Sequence, residues 1–494
     1  MTGSDLPAVF ASLQPSTVWR HFAQLCAIPR ASKAEAALRA ELWAWAAARG
    51  LATTVDAVGN LLICKPASAG CAHAPGIVLQ AHLDMVCQKN AETVHDFARD
   101  PIAPVLRDGW LLAEGTTLGA DNGIGVALML AVLEDAEIVH GPLEALFTVD
   151  EEAGMGGARG LAPDLLQGSL MLNLDTEEWG EFYLGCAGGL DVNVARAGLP
   201  APLPAGWEGW RIELGGLRGG HSGVNIHEGR GNAIKLLVRV LRELEQEFPL
   251  RLASLSGGTA RNALPREAVA ILALPVGKLV ALEACLGEIE AELRQELCGV
   301  DDGVCLSLVA CDVVELLAPA EQTVWLASLH AAPNGVRRMS RALPGVVETS
   351  NNLGMIDVQP AGGSCNFMLR SLQDSGSLAL AAEINSLFAL SGTSTEQSDY
   401  YPGWTPNPAS PLLALCQQVY RREFEAESSV QVIHAGLECG IIGAKYPGLD
   451  IVSFGPTIRG AHAPGEAVEV IAVERCWHLL RAILAGATCM PSLN

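Results

Sequence analysis

The sequence is poor in basic residues and has no long apolar run. Lysine and arginine number 32 against 55 aspartate and glutamate residues, which gives a formal net charge of −23. A surface of this sign repels phosphate backbones and anionic membranes, so nucleic acid is not expected as a partner. The longest apolar helical stretch, residues 123–133, is much shorter than the roughly 20 residues that span a bilayer. We therefore predict no membrane association.

Targeting signals and paired cysteines are also lacking. The first residues, MTGSDLPAVF, show no basic stretch followed by an apolar run, so no secretory signal is expected. The 14 cysteines are scattered, and no two have the C-x-x-C spacing of a zinc ribbon or a redox motif. Small buried thiols in a reducing compartment are expected instead. These features predict a cytoplasmic protein.

The order of apolar runs in the first part of the chain predicts an α/β fold. Residues 76–80, 143–149 and 170–174 have the length and boundaries of buried strands, and residues 122–133 are expected to form a helix between two of them. Such alternation is typical of a mixed sheet with helices on its faces. Upstream, Ser32 and Glu35 have the spacing of a capping box ahead of an alanine-rich helix.

After about residue 188 the pattern changes to strands beside long amphipathic helices, which is typical of an α+β unit. The proline-rich stretch YYPGWTPNPASP near residue 400 then predicts a return to the first pattern. We therefore predict a catalytic α/β domain at residues 1–188 and 399–494, interrupted by an α+β lid at residues 189–398.

Two side chains directly follow the first apolar strand. In QAHLDMV, His82 has the position of a metal ligand, and Asp84, two residues later, is able to orient the imidazole. Ligands and catalytic groups collect at the carboxyl ends of strands in open α/β sheets. The alternative is a surface histidine and a turn aspartate.

Acidic residues recur at two further points. Asp121 in TTLGADNGIG stands at a helix start, where it is either an ordinary N-cap or a carboxylate that bridges two cations. In LFTVDEEAGMGGA, Asp150, Glu151 and Glu152 end a β-rich run and lead into glycines rather than a charged helix. Adjacent residues point in opposite directions, so one glutamate is able to bind a metal while its neighbour reaches water held there.

Two later segments complete the pattern. Asp175 in SLMLNLDTEEWG lies at the tip of an apolar strand, and His462 in FGPTIRGAHAPGE follows another. By themselves they are equally a turn acid and a loop histidine. Together with the earlier segments, however, they supply two histidines and three carboxylates on one expected rim. Such a set suits two zinc ions that share one carboxylate, and it also accepts Mn²⁺ or Co²⁺.

These motifs resemble those of the metal-dependent peptidases with a co-catalytic zinc pair, and within them the aminoacyl-histidine dipeptidases, also called peptidase D or carnosine-type dipeptidases. The matches occur in order between residues 80 and 466. They are QAHLDMVCQKN, TTLGADNGIG, DEE-x-G, NLDTEE, GCAGG at 185–189, GGHSGVNIH at 219–227, RNALPREA at 261–268, HAGLECG at 434–440 and GAH-x-P-x-E.

The resemblance implies a role for each position in the catalytic domain. His82 and Asp175 would hold one zinc ion, Glu152 and His462 the other, and Asp121 both. Glu151 would be the general base for a hydroxide that bridges the two ions, and Asp84 would orient His82. The implied cofactor is therefore two Zn²⁺ ions per subunit.

The resemblance also implies a substrate site in the lid. His221 would polarise the scissile carbonyl, Asn262 would bind the substrate by a hydrogen bond, and Arg370 would bind its free carboxylate. His434 and Gly436 would form a wall of the pocket, although HAGLECG is equally consistent with a packed helix start.

The implied reaction is the hydrolysis of dipeptides, preferentially Xaa-His such as β-alanyl-histidine, because a closing lid restricts substrate length. The alternatives are the same chemistry on Cys-Gly, tripeptides or N-acyl amino acids. The resemblance further implies a dimerisation role for the lid, and hence a homodimer.

Overall fold

The chain divides into two compact units. In the computed structural model, which describes residues 7–341 and 343–491, the first unit comprises Met1–Gly185, Pro406–Val432 and Leu437–Asn494. The inserted unit comprises Cys186–Thr405 and Ile433–Gly436. Each unit has its own hydrophobic core.

The helices of both units are numbered in chain order. They are α1 Ser16–Cys26, α2 Ala36–Ala47, α3 Ala120–Glu134, α4 Gly156–Gly160, α5 Ala233–Glu247, α6 Leu279–Glu296, α7 Pro319–Ala331, α8 Asp374–Ala389, α9 Pro411–Phe424, α10 Glu438–Lys445 and α11 Val470–Ala487. In the described part of the chain, no helix combines the length and the apolar character that a membrane crossing requires.

The strands are numbered in the same way. They are β1 Ala52–Val55, β2 Leu61–Lys65, β3 Ile77–His82, β4 Pro104–Arg107, β5 Trp110–Ala113, β6 Leu143–Thr148, β7 Leu170–Asn173, β8 Glu181–Cys186, β9 Gly188–Ala197, β10 Pro200–Pro202, β11 Trp207–Gly215, β12 Gly220–His221, β13 Arg251–Gly257, β14 Ala263–Leu264, β15 Ala268–Pro275, β16 Cys305–Cys311, β17 Glu315–Leu317, β18 Gly335–Met339, β19 Val347–Gln359, β20 Gly362–Ser371, β21 Ser394–Tyr401, β22 Ser429–Ile433, β23 Asp450–Ser453, β24 Ile458–Arg459 and β25 Ala467–Glu469.

The first unit is built on a mixed sheet with the order β1-β2-β6-β3-β7-β23-β8-β22. Its centre is parallel, because β3 pairs in parallel with β6 and β7, and β7 pairs in parallel with β23. Every residue of β3, β6 and β7 is buried, as expected for strands that are covered on both faces. The carboxyl ends of these strands therefore meet at one edge of the sheet. The predicted α/β fold is confirmed.

Helix α3 is buried along almost its whole length, which explains why its sequence is apolar without amphipathic spacing. The helix packs against β3 and α1 in the core of the first unit. An all-round apolar helix of this kind is stable only inside a protein or a membrane.

The predicted capping box at the start of α2 is wrong. The N-cap residue is Glu35, and its side chain makes no cap hydrogen bond. Instead, Glu35 Oε1 accepts hydrogen bonds from the amides of Lys33 and Asp150, both at 2.9 Å. Ser32 Oγ donates to Asp84 Oδ2 at 2.7 Å. Both side chains therefore support the loops at the sheet edge rather than the helix.

The inserted unit is an antiparallel sheet with helices packed against it. Its strands follow the order β16-β11-β15-β13-β19-β20-β9-β21, with β18 paired to β19. Apolar residues of α5, α6, α7 and α8 form one core with this sheet. Helix α5 begins where Asn232 caps it, since the Asn232 side chain accepts from the Lys235 amide.

Candidate metal centre

The five predicted metal ligands all lie in the first unit, at one edge of its sheet. His82 is the last residue of β3, and Asp175 follows β7 by two residues. Glu152 follows the end of β6, while Asp121 is the second residue of α3. His462 lies in the loop between β24 and β25.

Asp121 is the centre of this group, because its two oxygens face different histidines. Oδ1 is 3.1 Å from His82 Nε2, and Oδ2 is 3.1 Å from His462 Nε2. His82 Nε2 also lies 3.4 Å from Asp175 Oδ1. His462 Nε2 lies 3.1 Å from Glu152 Oε1. The structure thus forms two sets of donors that share one carboxylate.

The donor atoms fit a divalent cation. Ligand atoms of His82, Asp121 and Glu152 all lie within 4.8 Å of one another. Imidazole nitrogens with carboxylate oxygens are the ligands that zinc takes when no thiolate is offered. The side chains of Glu152 and Asp175 are each only 7% exposed, so water neutralises their charge poorly. These residues therefore form a candidate metal site.

The charges at the site are out of balance without a cation. Burial raises the pKa of Asp175 above its ordinary value, and the nearby charge of Asp121 adds to the effect. Burial alone would lower the pKa of His82, but the carboxylates of Asp175 and Asp121 raise it well above the ordinary value. The shift at His82 reflects the negative charge of the carboxylates around it, which a divalent cation would neutralise.

Asp84 contacts His82 on the side opposite to the other candidate ligands. Its Oδ1 is 3.3 Å from His82 Nδ1, the ring nitrogen that faces away from the other ligands. Its two oxygens accept hydrogen bonds from the amides of Glu151 and Glu152, at 3.0 and 3.1 Å. Although burial would raise the pKa of Asp84, the His82 and Ser32 contacts lower it well below its usual range. Asp84 therefore orients one ligand and fixes the loop that carries two further acids.

Two buried charged residues that sequence analysis missed grip the turn before Asp121. Arg30 Nη2 donates to the Gly119 carbonyl at 2.5 Å, and Glu466 Oε2 accepts from the Gly119 amide at 2.8 Å. Glu466 Oε1 also accepts from the Asp121 amide at 3.1 Å. A Cβ atom on Gly119, where φ is +71°, would lie 2.4 Å from Arg30 Nη2. The glycine of the GADNG motif is thus required by both strain and space.

A third missed residue, Glu438, begins α10 and is fully buried. Its Oε2 accepts hydrogen bonds from Gln80 Nε2 at 2.7 Å and from Thr148 Oγ1 at 2.6 Å. Burial raises its pKa to about 7. Glu438 and Glu466 both lie inside motifs that carry the family resemblance. An acid within such a motif was the signal that would have pointed to them.

The predicted substrate residues lie in the inserted unit, and three of them are close together. His221 Nε2 is 3.3 Å from Arg370 Nη2, and Arg370 Nη1 donates to the Tyr401 hydroxyl at 3.1 Å. His434 Nε2 is 2.8 Å from Ser350 Oγ. Burial, together with the charge of Arg370, lowers the pKa of His434 to about 3.

The remaining two predicted substrate residues are Asn262 and Gly436. The backbone carbonyl of Asn262 accepts a hydrogen bond from the amide of Ser222 at 2.8 Å, and Ser222 directly follows His221 in the chain. Gly436 ends the segment Ile433–Gly436, which also contains His434 and belongs to the inserted unit. The roles given to these residues stay predictions.

The model of peptidase family M20/M25/M40 matches residues 78–486, and the chain belongs to this family. The predictions of a peptidase and of its fold are thereby confirmed.

Three known proteins align with nearly the whole chain, two of them at more than 40% identity. The chain is 46% identical over 476 residues to the "Cytosol non-specific dipeptidase" of Escherichia coli K12, covering 96% of this chain and 98% of the relative. The crystal structure of the aminoacylhistidine dipeptidase from Vibrio alginolyticus is 44% identical, with a TM-score of 0.88 and coverage of 96% and 97%. A tripeptidase from Staphylococcus aureus shares the fold at 16% identity and a TM-score of 0.56, with coverage of 97% and 100%.

We predict that Glu466→Gln weakens metal binding about 10- to 100-fold, which is the usual effect of removing a group that holds a ligand in place. An amide in place of one carboxylate oxygen leaves at least one backbone N–H of the Leu118 to Asp121 turn facing another donor. Competition with a fluorescent chelator measures the dissociation constant for zinc. Glu474→Gln, an exposed change on α11, is the control. Equal affinity in the two variants would show that Glu466 does not position Asp121.

Proposed function

We propose that this protein hydrolyses dipeptides, preferentially Xaa-His, at a two-zinc centre. The observation that carries the proposal is the position of Asp121, whose two oxygens each face a different histidine at 3.1 Å. The names of the relatives from Escherichia coli and Vibrio alginolyticus support dipeptides as the substrate class.

His82 and Asp175 would hold one zinc ion, Glu152 and His462 the other, and Asp121 both. When bound, the two ions supply Lewis-acid chemistry, because they polarise a carbonyl and make water a stronger acid. The same donor set accepts Mn²⁺ or Co²⁺.

Glu151 is the proposed general base. Its amide is fixed by Asp84 at 3.0 Å, so the residue stands beside the ligand Glu152 with a defined backbone. Burial raises the pKa of Glu151 well above its ordinary value, and the charges of Asp175 and Glu152 contribute. A carboxylate of raised pKa is suited to take a proton from water and to pass it to the leaving amine.

We predict that Glu151→Gln retains bound zinc but lowers kcat by about 10²- to 10⁴-fold, because the amide cannot accept the proton. Metal content by mass spectrometry and steady-state kinetics on β-alanyl-histidine measure the two effects separately. Glu474→Gln again serves as the exposed control. An unchanged kcat in Glu151→Gln would remove this residue from the mechanism.

His221 is suited to donate a hydrogen bond to substrate. Its Nδ1 accepts from the amides of Gly223 and Val224 at 3.2 and 3.1 Å, so in the neutral ring the proton is on Nε2. Arg370 Nη2, 3.3 Å away, is also a donor and cannot satisfy that N–H. The two donors therefore converge on a place for an acceptor, such as a carbonyl or carboxylate oxygen of the substrate.

We predict that His221 stays neutral, with the proton on Nε2, from pH 9 down to about 5. Burial and the charge of Arg370 lower its pKa to about 4. The unfolded chain binds the proton near the ordinary pKa of about 6.5, so this residue removes stability as pH falls from 6.5 to 4. Nitrogen-15 NMR of labelled histidine measures the tautomer and the pKa, with His221→Asn used to assign the signal. Protonation near pH 6.5 would contradict the prediction.

Substrate preference has several alternatives within the same chemistry, namely Cys-Gly, tripeptides and N-acyl amino acids. We predict that kcat/KM is at least about ten-fold higher for β-alanyl-histidine than for these compounds, a difference of 1.4 kcal/mol in transition-state binding. A parallel kinetic panel at one pH and one metal concentration measures it. Absence of turnover on every Xaa-His peptide would remove the substrate preference but leave the proposed metal chemistry.

The homodimer and the cytoplasmic location stay predictions.

A further inference from the structure

A continuous polar row crosses the centre of the first unit's sheet, on the same face as His82. Gln80 precedes His82 by two residues in β3, and so the two share a face. Thr148 on β6 is in register with His82, and Asn173 on β7 is in register with Gln80. Ser453 on β23 is in register with Asn173. All these polar side chains are fully buried.

The short hydrogen bonds between the side chains of this row lead towards Glu438, while the Thr148 hydroxyl also lies 3.4 Å from the Ala81 carbonyl. Ser453 Oγ donates to Asn173 Oδ1, and Asn173 Nδ2 donates to Gln80 Oε1 at 2.5 Å. Gln80 Nε2 and Thr148 Oγ1 then both donate to Glu438 Oε2. Donors arranged in series polarise one another and strengthen the final bond to the acceptor. The row is thus built to hold an acceptor at its end.

The arrangement at the end of the row favours an ionised carboxylate. Glu438 Oε2 faces the Gln80 amide N–H and the Thr148 hydroxyl, and within the described part of the chain the buried Oε1 has no hydrogen-bond partner. Both donors to Glu438 are neutral, so neither supplies the opposite charge that a buried carboxylate requires. The hydrogen-bond pattern explains the geometry but leaves the charge uncompensated.

The cations that would compensate this charge are those of the candidate metal centre. Glu438 is joined through Thr148 and Gln80 to the strand ends that carry His82 and Glu151. We propose that Glu438 is a positioning residue whose fixed negative charge increases the affinity of the centre for divalent cations. The inference rests on the metal centre of the proposed function, and it assigns a role to a residue outside the set of ligands.

The main test is Glu438→Gln, which keeps the shape and removes the charge. We expect the dissociation constant for zinc at pH 8, measured by competition with a fluorescent chelator, to rise about ten-fold or more. We also expect the Tm of the metal-free protein to stay equal or to rise, because an uncompensated buried charge is gone. A purely structural role predicts the opposite, namely a lower Tm of the metal-free protein with unchanged affinity, and that result would overturn the proposal.

Glu144→Gln is the matched control. Glu144 is also a buried carboxylate of the same sheet, but it lies at the opposite end of β6 and accepts from the amides of Gln167 and Gly168. We expect its replacement to lower the Tm of the metal-free protein and to leave zinc affinity unchanged. An equal loss of affinity in both variants would mean that charge anywhere in the sheet has this effect, and would overturn the specific role of Glu438.

A pair of shorter variants keeps the test decisive if Glu438→Gln does not fold. Glu438→Asp and Glu438→Asn have the same shape and differ in charge, so we expect zinc to bind about ten-fold more tightly to the aspartate variant. Equal affinities would overturn the proposal. Failure of the unchanged protein to bind zinc would overturn the proposed metal centre as well. Zinc binding that is the same with and without the Glu438 charge would overturn this inference alone.

Discussion

Repulsion between carboxylates at one edge of the sheet is the constraint on which the rest of the first unit depends. Like charges at such short range in a buried place are stable only with cations or with many hydrogen-bond donors. In this fold, a central set of carboxylates faces Nε2 of His82 and of His462, and an outer set accepts hydrogen bonds from backbone amides. The central set is Asp121, Glu152 and Asp175, and the outer set is Asp84 and Glu466.

The two outer carboxylates, Asp84 and Glu466, bind the backbone of the loops at this edge of the sheet. Asp84 accepts from two consecutive amides after β6, and Glu466 accepts from three amides around the Gly119 turn. Each bond to an ionised acceptor is stronger than one between neutral groups. The Arg30 guanidinium donates to three carbonyls, those of Leu83 and Asp84 after β3 and that of Gly119. These hydrogen bonds fix the loops that carry the candidate ligands, which a metal site requires.

Local patterns predicted the parts of this fold whose cause is local. The buried strands and the apolar α3 follow from runs of apolar residues, and the ligands follow from acids and histidines at strand ends. The capping-box prediction for Ser32 and Glu35 was wrong because it rested on local spacing alone. The Ser32 hydroxyl donates to Asp84 instead, and the Glu35 carboxylate accepts from the Asp150 amide. Glu438 was not predicted for a similar reason, since its donors lie more than 280 residues away in the chain.

Only one of the five candidate ligands is encoded after the inserted unit. His82, Asp121, Glu152 and Asp175 all precede that unit in the chain, whereas His462 follows it. A ribosome therefore delivers four of the donors before it makes the chain of the inserted unit. Asp121 is able to face both of its histidines only after the whole inserted unit has been synthesised.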